Sequence, residues 1–187
     1  MAVTVDILLA VKVTPAEGAS KITIANVNDK FPKREFEVPT SGEVEIDASS
    51  LEWSNYFKAG LKGAVGLLRQ KYGQYKPVHM EILADGTVPA GGGLSSSAAF
   101  VCASALAVLK ASGEEDIGKK ELTELAIVSE RSVGVNSGGY VSFIPAAKVI
   151  YTKFLQHGSV CLCLWTAWKC SLRFIQADFG SNASHIP

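Results

Sequence analysis

The feature that most constrains this chain is the string Val88-Pro-Ala-Gly-Gly-Gly-Leu-Ser-Ser-Ser-Ala-Ala, ending at Ala99. It lies between a strand-like run, Val78 to Leu83, and a helix-forming run from Ser95 to Lys110 that is apolar on nearly every side. A helix of that kind belongs in a core. Three consecutive glycines let the backbone come close to a ligand and take positive φ angles at little cost. The helix start that follows offers N–H groups without intrahelical partners and the positive end of its dipole, a combination suited to phosphate. Ser95, Ser96 and Ser97 add hydroxyls able to bind phosphate oxygens or a magnesium ion. The string is not the common P-loop, which ends Gly-Lys-Ser/Thr, because no lysine stands here. A flexible linker ahead of a small-residue helix would account for the glycines alone. It does not account for the whole string between a strand and a buried helix.

The flanking pattern predicts an α+β fold, a sheet packed on helices. Residues 3–13, 21–26, 34–38, 43–46 and 78–83 read as strands, with Asp85-Gly86 as a turn after the last. Helical spacing covers residues 51–70, with Tyr56, Leu61, Ala64, Val65 and Leu68 on one side, and residues 119–131, with Leu122, Leu125, Ala126 and Val128 facing inward. The 187 residues, 48% hydrophobic and 19% charged, suffice for one domain with a sizeable core. Eighteen basic and eighteen acidic side chains leave no net field to draw the chain to nucleic acid or an anionic membrane. MAVTVDILLAVKV lacks a basic leading segment and carries Asp6 in its apolar run, so it reads as a strand and not as a signal peptide. No apolar run reaches the ~18 residues of a membrane span. Cys102, Cys161, Cys163 and Cys170 form no Cys-x-x-Cys pair, which indicates neither a zinc site nor a disulfide framework and makes a reducing cytoplasm the expected location.

PAGGGLSSSAAF resembles the phosphate loop of the GHMP small-molecule kinases, and its LSSSAA form is most similar to galactokinases of the fungal type. Three further segments agree. Trp53-Ser-Asn-Tyr-Phe-Lys-Ala-Gly resembles the family's W-x-N-Y-x-K-x-G, and Ser129-Glu-Arg-Ser-Val-Gly-Val-Asn-Ser-Gly-Gly resembles A-E-x-x-V-G-V-N-x-G-G. VTVDILLAVKV resembles the strand that follows the family's sugar-binding motif. The likeness runs through residues 2–139 and implies a partial GHMP kinase N-terminal, ATP-binding domain over residues 1–139. By position it implies that Gly91, Gly92, Gly93, Ser95 and Ser96 hold the phosphates of ATP and that Ser97 and Glu130 bind magnesium. Trp53 and Tyr56 would line the adenine pocket, and Gly138 would touch the sugar. The plain alternatives are core packing for Trp53 and Tyr56, and a solvated carboxylate beside Arg131 for Glu130.

The sequence also departs from the family. It begins after the R-V-N-L-I-G-E-H-x-D-Y motif, and the M-D-Q aspartate, which the resemblance implies as the base or electrostatic anchor for the sugar hydroxyl, does not follow Gly139, where the chain reads Tyr140-Val-Ser-Phe. Residues 140–187 show no convincing helix period and are expected to be a non-family tail, disordered or misfolded. The genetic code suggests an origin for it. Gly139-Tyr140-Val141 can be encoded as GGG-TAT-GTN, which contains a fungal splice donor, and Gln156 as the CAG of an acceptor. The interval is about 52 nucleotides, not a multiple of three. Codons permissible for His157 onward, read in the displaced frame, spell M-D-Q-S-A-S-V-F-G and, after a gap, Y-V-S-F-K-P-T-L-E-A-T-P-V-T-F. Both resemble the family's continuation. An unspliced intron is therefore the preferred account of the tail, whose cysteines and tryptophans then have no selected role.

The resemblance implies a parent protein that phosphorylates galactose to galactose 1-phosphate with ATP and magnesium, a chain that is inactive by itself, and no nucleic-acid or membrane partner. One alternative is a galactose-sensing regulator that binds ATP, sugar and a repressor-type protein. Such relatives commonly lose residues after the loop serines, whereas Ser97-Ala98-Ala99 is intact. Another is a different GHMP kinase, against which the VNSGG segment and the recovered M-D-Q speak.

Overall fold

The computed structural model describes residues 6–41, 43–50, 52–90, 95–114, 116–134, 148–151 and 160–166. In chain order these form β1 (Asp6–Pro15), β2 (Ser20–Asn26), β3 (Arg34–Val38), α1 (Ser54–Tyr72), β4 (Val78–Gly86), α2 (Ser96–Ala111), α3 (Lys119–Glu130), a 3-10 turn (Arg131–Val133), β5 (Lys148–Tyr151) and β6 (Val160–Thr166). The sheet order is β3-β2-β4-β1-β6-β5. β2 and β4 run parallel, with Ile22 opposite Met80 and Ile24 opposite Ile82, and the other pairs are antiparallel.

Strand alternation places Ile22 and Ile24 of β2, and Met80, Ile82 and Ala84 of β4, on the face that meets the helices, where all are buried with Leu9 and Val11 of β1. α1 turns Phe57, Leu61, Ala64, Val65 and Leu68 to this core, and its Phe57 ring stands 6.2 Å from Phe36 of β3. The helix ends on Gly73, in the left-handed region at φ 73°, whose N–H bonds the Arg69 carbonyl at 2.8 Å. α2 is buried from Val101 through Lys110, as its all-round apolar sequence predicts, and it packs against α1, α3 and β1.

Two small-residue helices make that burial possible. A methyl group on Gly60 would lie 2.5 Å from the Val101 carbonyl oxygen, 2.7 Å from Ser104 Cβ and 2.8 Å from the Ala105 nitrogen. Backbone therefore meets backbone at this crossing, and neither side can yield. Gly60→Ala is expected to cost about 1–3 kcal/mol through overpacking. Gly66→Ala, with nothing within 4 Å of the new methyl group, is expected to gain about 0.5–1 kcal/mol of helix propensity. Urea midpoints of the two variants check this, and equal midpoints would contradict the packing described.

Two expectations are corrected. Residues 43–46 form no strand: Val44 is buried and Glu45 exposed, but the alternation comes from packing on the core without a ladder partner. Val128 does not face inward, being 64% exposed, while Leu122 and Ala126 carry the buried stripe of α3. Beyond Gly139, the backbones of β5 and β6 extend the sheet on the β1 side, Asp6 to Lys12 pairing with Thr166 to Val160. Among the described residues no helix is long and apolar enough to cross a membrane.

Candidate phosphate site at the start of α2

The approach to the glycine-rich segment is anchored where β4 ends beside the start of β1. The Thr87 N–H donates to the Asp6 carbonyl at 2.9 Å, the Asp6 N–H donates to Thr87 Oγ1 at 3.0 Å, and the Thr87 hydroxyl donates to the Asp6 carboxylate at 3.0 Å. Three reciprocal bonds fix the backbone one residue before Val88. Gly91, Gly92 and Gly93 lie outside the described residues, as does Gly138.

The chain is described again at Ser95, the residue before α2. Its φ of 51° and ψ of 51° are left-handed, and it is the one non-glycine residue with positive φ among those described. That backbone costs roughly 1–2 kcal/mol for an L-residue and is of the kind that clusters at ligand-binding sites. The Ser95 carbonyl accepts the first helical bond, from Ala99 N–H at 3.1 Å. The earlier N–H groups of the turn, those of Ser96 to Ala98, have no acceptor inside the helix. The first turn holds no acidic side chain to offset the dipole's positive end.

A carboxylate reaches the turn from elsewhere. Glu130, the last residue of α3, is buried, and its Oε1 accepts the Ser97 hydroxyl at 2.6 Å. A short bond from hydroxyl to carboxylate is charge-assisted and fixes both groups. Together they set two hard oxygen donors beside free N–H groups, a donor set that suits a small divalent cation shared with phosphate oxygens. Among the described residues no group of three or more His, Cys, Asp or Glu side chains forms a protein cage for a metal.

Trp53, immediately before α1, is half-buried between Phe31 and Phe100, with ring centroids 5.8 and 6.0 Å away, and its indole N–H donates to the Pro32 carbonyl at 3.0 Å. Phe100 lies one turn along α2 from Ser96 and Ser97, so Trp53 stands beside the helix that begins at the loop. Tyr56 is half-buried against the core. The aromatic neighbours Phe31 and Phe100, and the Asp6–Thr87 clamp, are not legible from spacing, although an aromatic residue one turn after the serines could have been flagged. A separate open groove at the start of α1, lined by Arg34, Asp47, Glu52, Asn55 and Lys58, has its main groups engaged with one another. Arg34 grips Glu52 through two bonds of 2.7 and 2.8 Å, and Asn55 donates to the Asp47 and Ser50 carbonyls. Cys102 is buried in α2, and that burial pushes its thiol above the ordinary cysteine range, away from thiolate chemistry.

The described residues thus form a sheet backed by helices, with a buried helix whose first-turn serine meets a carboxylate carried by the next helix. The model for the GHMP kinases N terminal domain matches residues 55–146, and the chain shares the fold of that domain in part. In sequence, the chain is similar to galactokinases. It is 39% identical to the galactokinase of Saccharomyces cerevisiae over 83% of this chain, 42% to that of Schizosaccharomyces pombe and 47% to that of Candida parapsilosis, each of these two over 74%. It spans 34%, 28% and 27% of those relatives, between a quarter and about a third of their length. Among solved structures, Lactococcus lactis galactokinase complexed with galactose superposes with a TM-score of 0.56 at 24% identity, over 79% of this chain and 43% of that one. A mevalonate kinase superposes at 0.53 with 13% identity, over 78% and 46%. These two likenesses show the fold.

Proposed function

We propose that this chain carries the nucleotide-binding part of a phosphotransferase that moves the γ-phosphoryl group of ATP to the 1-hydroxyl of galactose. The observation that carries the reading is the Ser97–Glu130 hydrogen bond at the open N-terminus of α2. Galactose as the acceptor rests on the relatives, which are galactokinases. In this reading the N–H groups from Gly91 to Ser97 hold phosphate oxygens, and Ser97 with Glu130 holds magnesium. Trp53, stiffened by Phe31 and Phe100, offers an apolar face to adenine, with Tyr56 nearby on α1. A bound magnesium ion supplies neutralisation of phosphate charge. Gly138 contributes on the sugar side. The bond from phosphorus to the sugar oxygen forms as the bond from the γ-phosphorus to ADP breaks, and the hydroxyl proton passes to the aspartate of M-D-Q.

That aspartate is absent after Gly139 in this chain. We infer that residues 1–139 are the family part and that residues 140–187 are read through an intron and then out of frame. Backbone ladders such as those of β5 and β6 use only N–H and C=O groups, which any extended segment presents, so they require no selected sequence.

Calorimetric titration of ATP into the 187-residue chain, with magnesium or with EDTA, tests the site. Ser97→Ala and Glu130→Gln are each expected to remove at least about tenfold, ~1.4 kcal/mol, of the affinity gained from magnesium. Both variants should leave binding in EDTA nearly unchanged. Retention of the full gain in both variants would contradict the assignment.

A further inference from the structure

We propose that Gly63 of α1 is a positioning residue for Glu130, setting where the carboxylate meets Ser97 and hence how tightly the site takes magnesium. The inference rests on the reading of Ser97 and Glu130 as magnesium ligands. A methyl group on Gly63 would collide with Ser129 Oγ and lie 2.8 Å from Leu125 Cδ2 and 3.2 Å from Leu125 Cγ. Leu125 can swing its methyl groups aside. Ser129 is buried at 5% exposure and is the residue next to Glu130, itself 3% exposed. The absent side chain at position 63 thus lets the last turn of α3 lie against α1 at the residue that precedes the carboxylate.

The geometry downstream leaves little slack. Glu130 closes α3, and the chain then turns through Arg131–Val133 to Gly134, at φ 79°. The Ser97–Glu130 bond is already short at 2.6 Å, and its partner Ser97 is fixed at the start of α2. An outward shift of Ser129 by a few tenths of an ångström moves Glu130 relative to Ser97 and misplaces the oxygen pair. Gly66, one turn further along α1, has nothing within 4 Å and serves as the matched control for adding a methyl group to the helix.

The experiment is ATP titration of the full 187-residue chain with magnesium and with EDTA. Gly63→Ala is expected to retain the affinity measured in EDTA and to lose about tenfold of the gain from magnesium, the scale seen when a group supporting a metal ligand is disturbed. Adding Ser129→Ala, which removes the colliding hydroxyl, should restore the gain, and Gly66→Ala should keep it throughout. An unchanged gain in Gly63→Ala means that Ser129 simply rotates away, and it overturns the proposal. Equal losses with and without magnesium mean a merely structural role, and overturn it as well. If Gly63→Ala does not fold, Ser129→Val thickens the same contact from α3 and must lose the gain, and its retention overturns the proposal. Glu130→Gln separates the two levels: if it keeps the gain, the ligand reading has failed. If it loses the gain while Gly63→Ala does not, only the role of Gly63 has failed.

Discussion

Expressed with the full spliced reading frame restored, the protein is expected to convert galactose and ATP to galactose 1-phosphate and ADP, whereas the 187-residue chain forms no product. Phosphoryl transfer depends on positioning and on charge neutralisation. In the proposed reading the start of α2 supplies the phosphate side of that arrangement, through the first-turn N–H groups and the Ser97–Glu130 pair. The acceptor side needs a group that orients the sugar hydroxyl and takes its proton, and the sequence carries none at Tyr140-Val-Ser-Phe. In the restored protein, replacing the aspartate of the recovered M-D-Q by alanine should lower kcat about 10²–10⁴-fold, the range for loss of a general base. ATP binding should change little. A coupled assay for ADP, checked by chromatographic detection of galactose 1-phosphate, reads both outcomes. Turnover by the 187-residue chain itself would mean that the catalytic group has been misplaced. Activity that survives loss of the aspartate would mean that the residue roles are wrong.

Gly93→Val is expected to abolish ATP binding by the chain, a loss of at least about 100-fold or ~2.7 kcal/mol. Gly93 stands two residues before Ser95, whose backbone is already left-handed. A β-branched side chain there would resist positive φ and fill space through which the backbone must approach the phosphates. Titration with and without magnesium distinguishes this from loss of the metal ligands, because the valine should weaken binding in both conditions. ATP affinity unchanged by the valine would remove the glycine segment from the site.

Much of the fold was legible because it rests on local periodicity. β2 and β3 follow the alternation in Lys21 to Asn26 and Arg34 to Val38, and α2 is buried because its sequence is apolar on every side. The segment Glu43 to Ile46 alternates in the same way but finds no strand to pair with, a fact that lies in the tertiary arrangement. Val128 misled for a related reason: helical spacing gives a stripe but not its width, and α3 buries only the narrow part through Leu122 and Ala126. At the site, the glycine–serine string and helix start carry their own chemistry. The Ser97–Glu130 contact joins residues 33 apart, and Trp53 with Phe100 joins the residue before α1 to α2, so neither follows from spacing. Glu130 is singled out by the family resemblance alone, and in the structure its carboxylate accepts the Ser97 hydroxyl. The clearance at Gly63 was invisible in sequence because it depends on where α3 crosses α1.

The central claim is that a galactose-phosphorylating enzyme continues past Gly139 in a different frame, and sequencing the transcript across codons 130–170 tests it most directly. The account predicts a message lacking about 52 nucleotides after the first two bases of the Gly139 codon, which then encodes M-D-Q-S-A-S-V-F-G. A mature message that keeps Tyr140 to Gln156 in frame would contradict it.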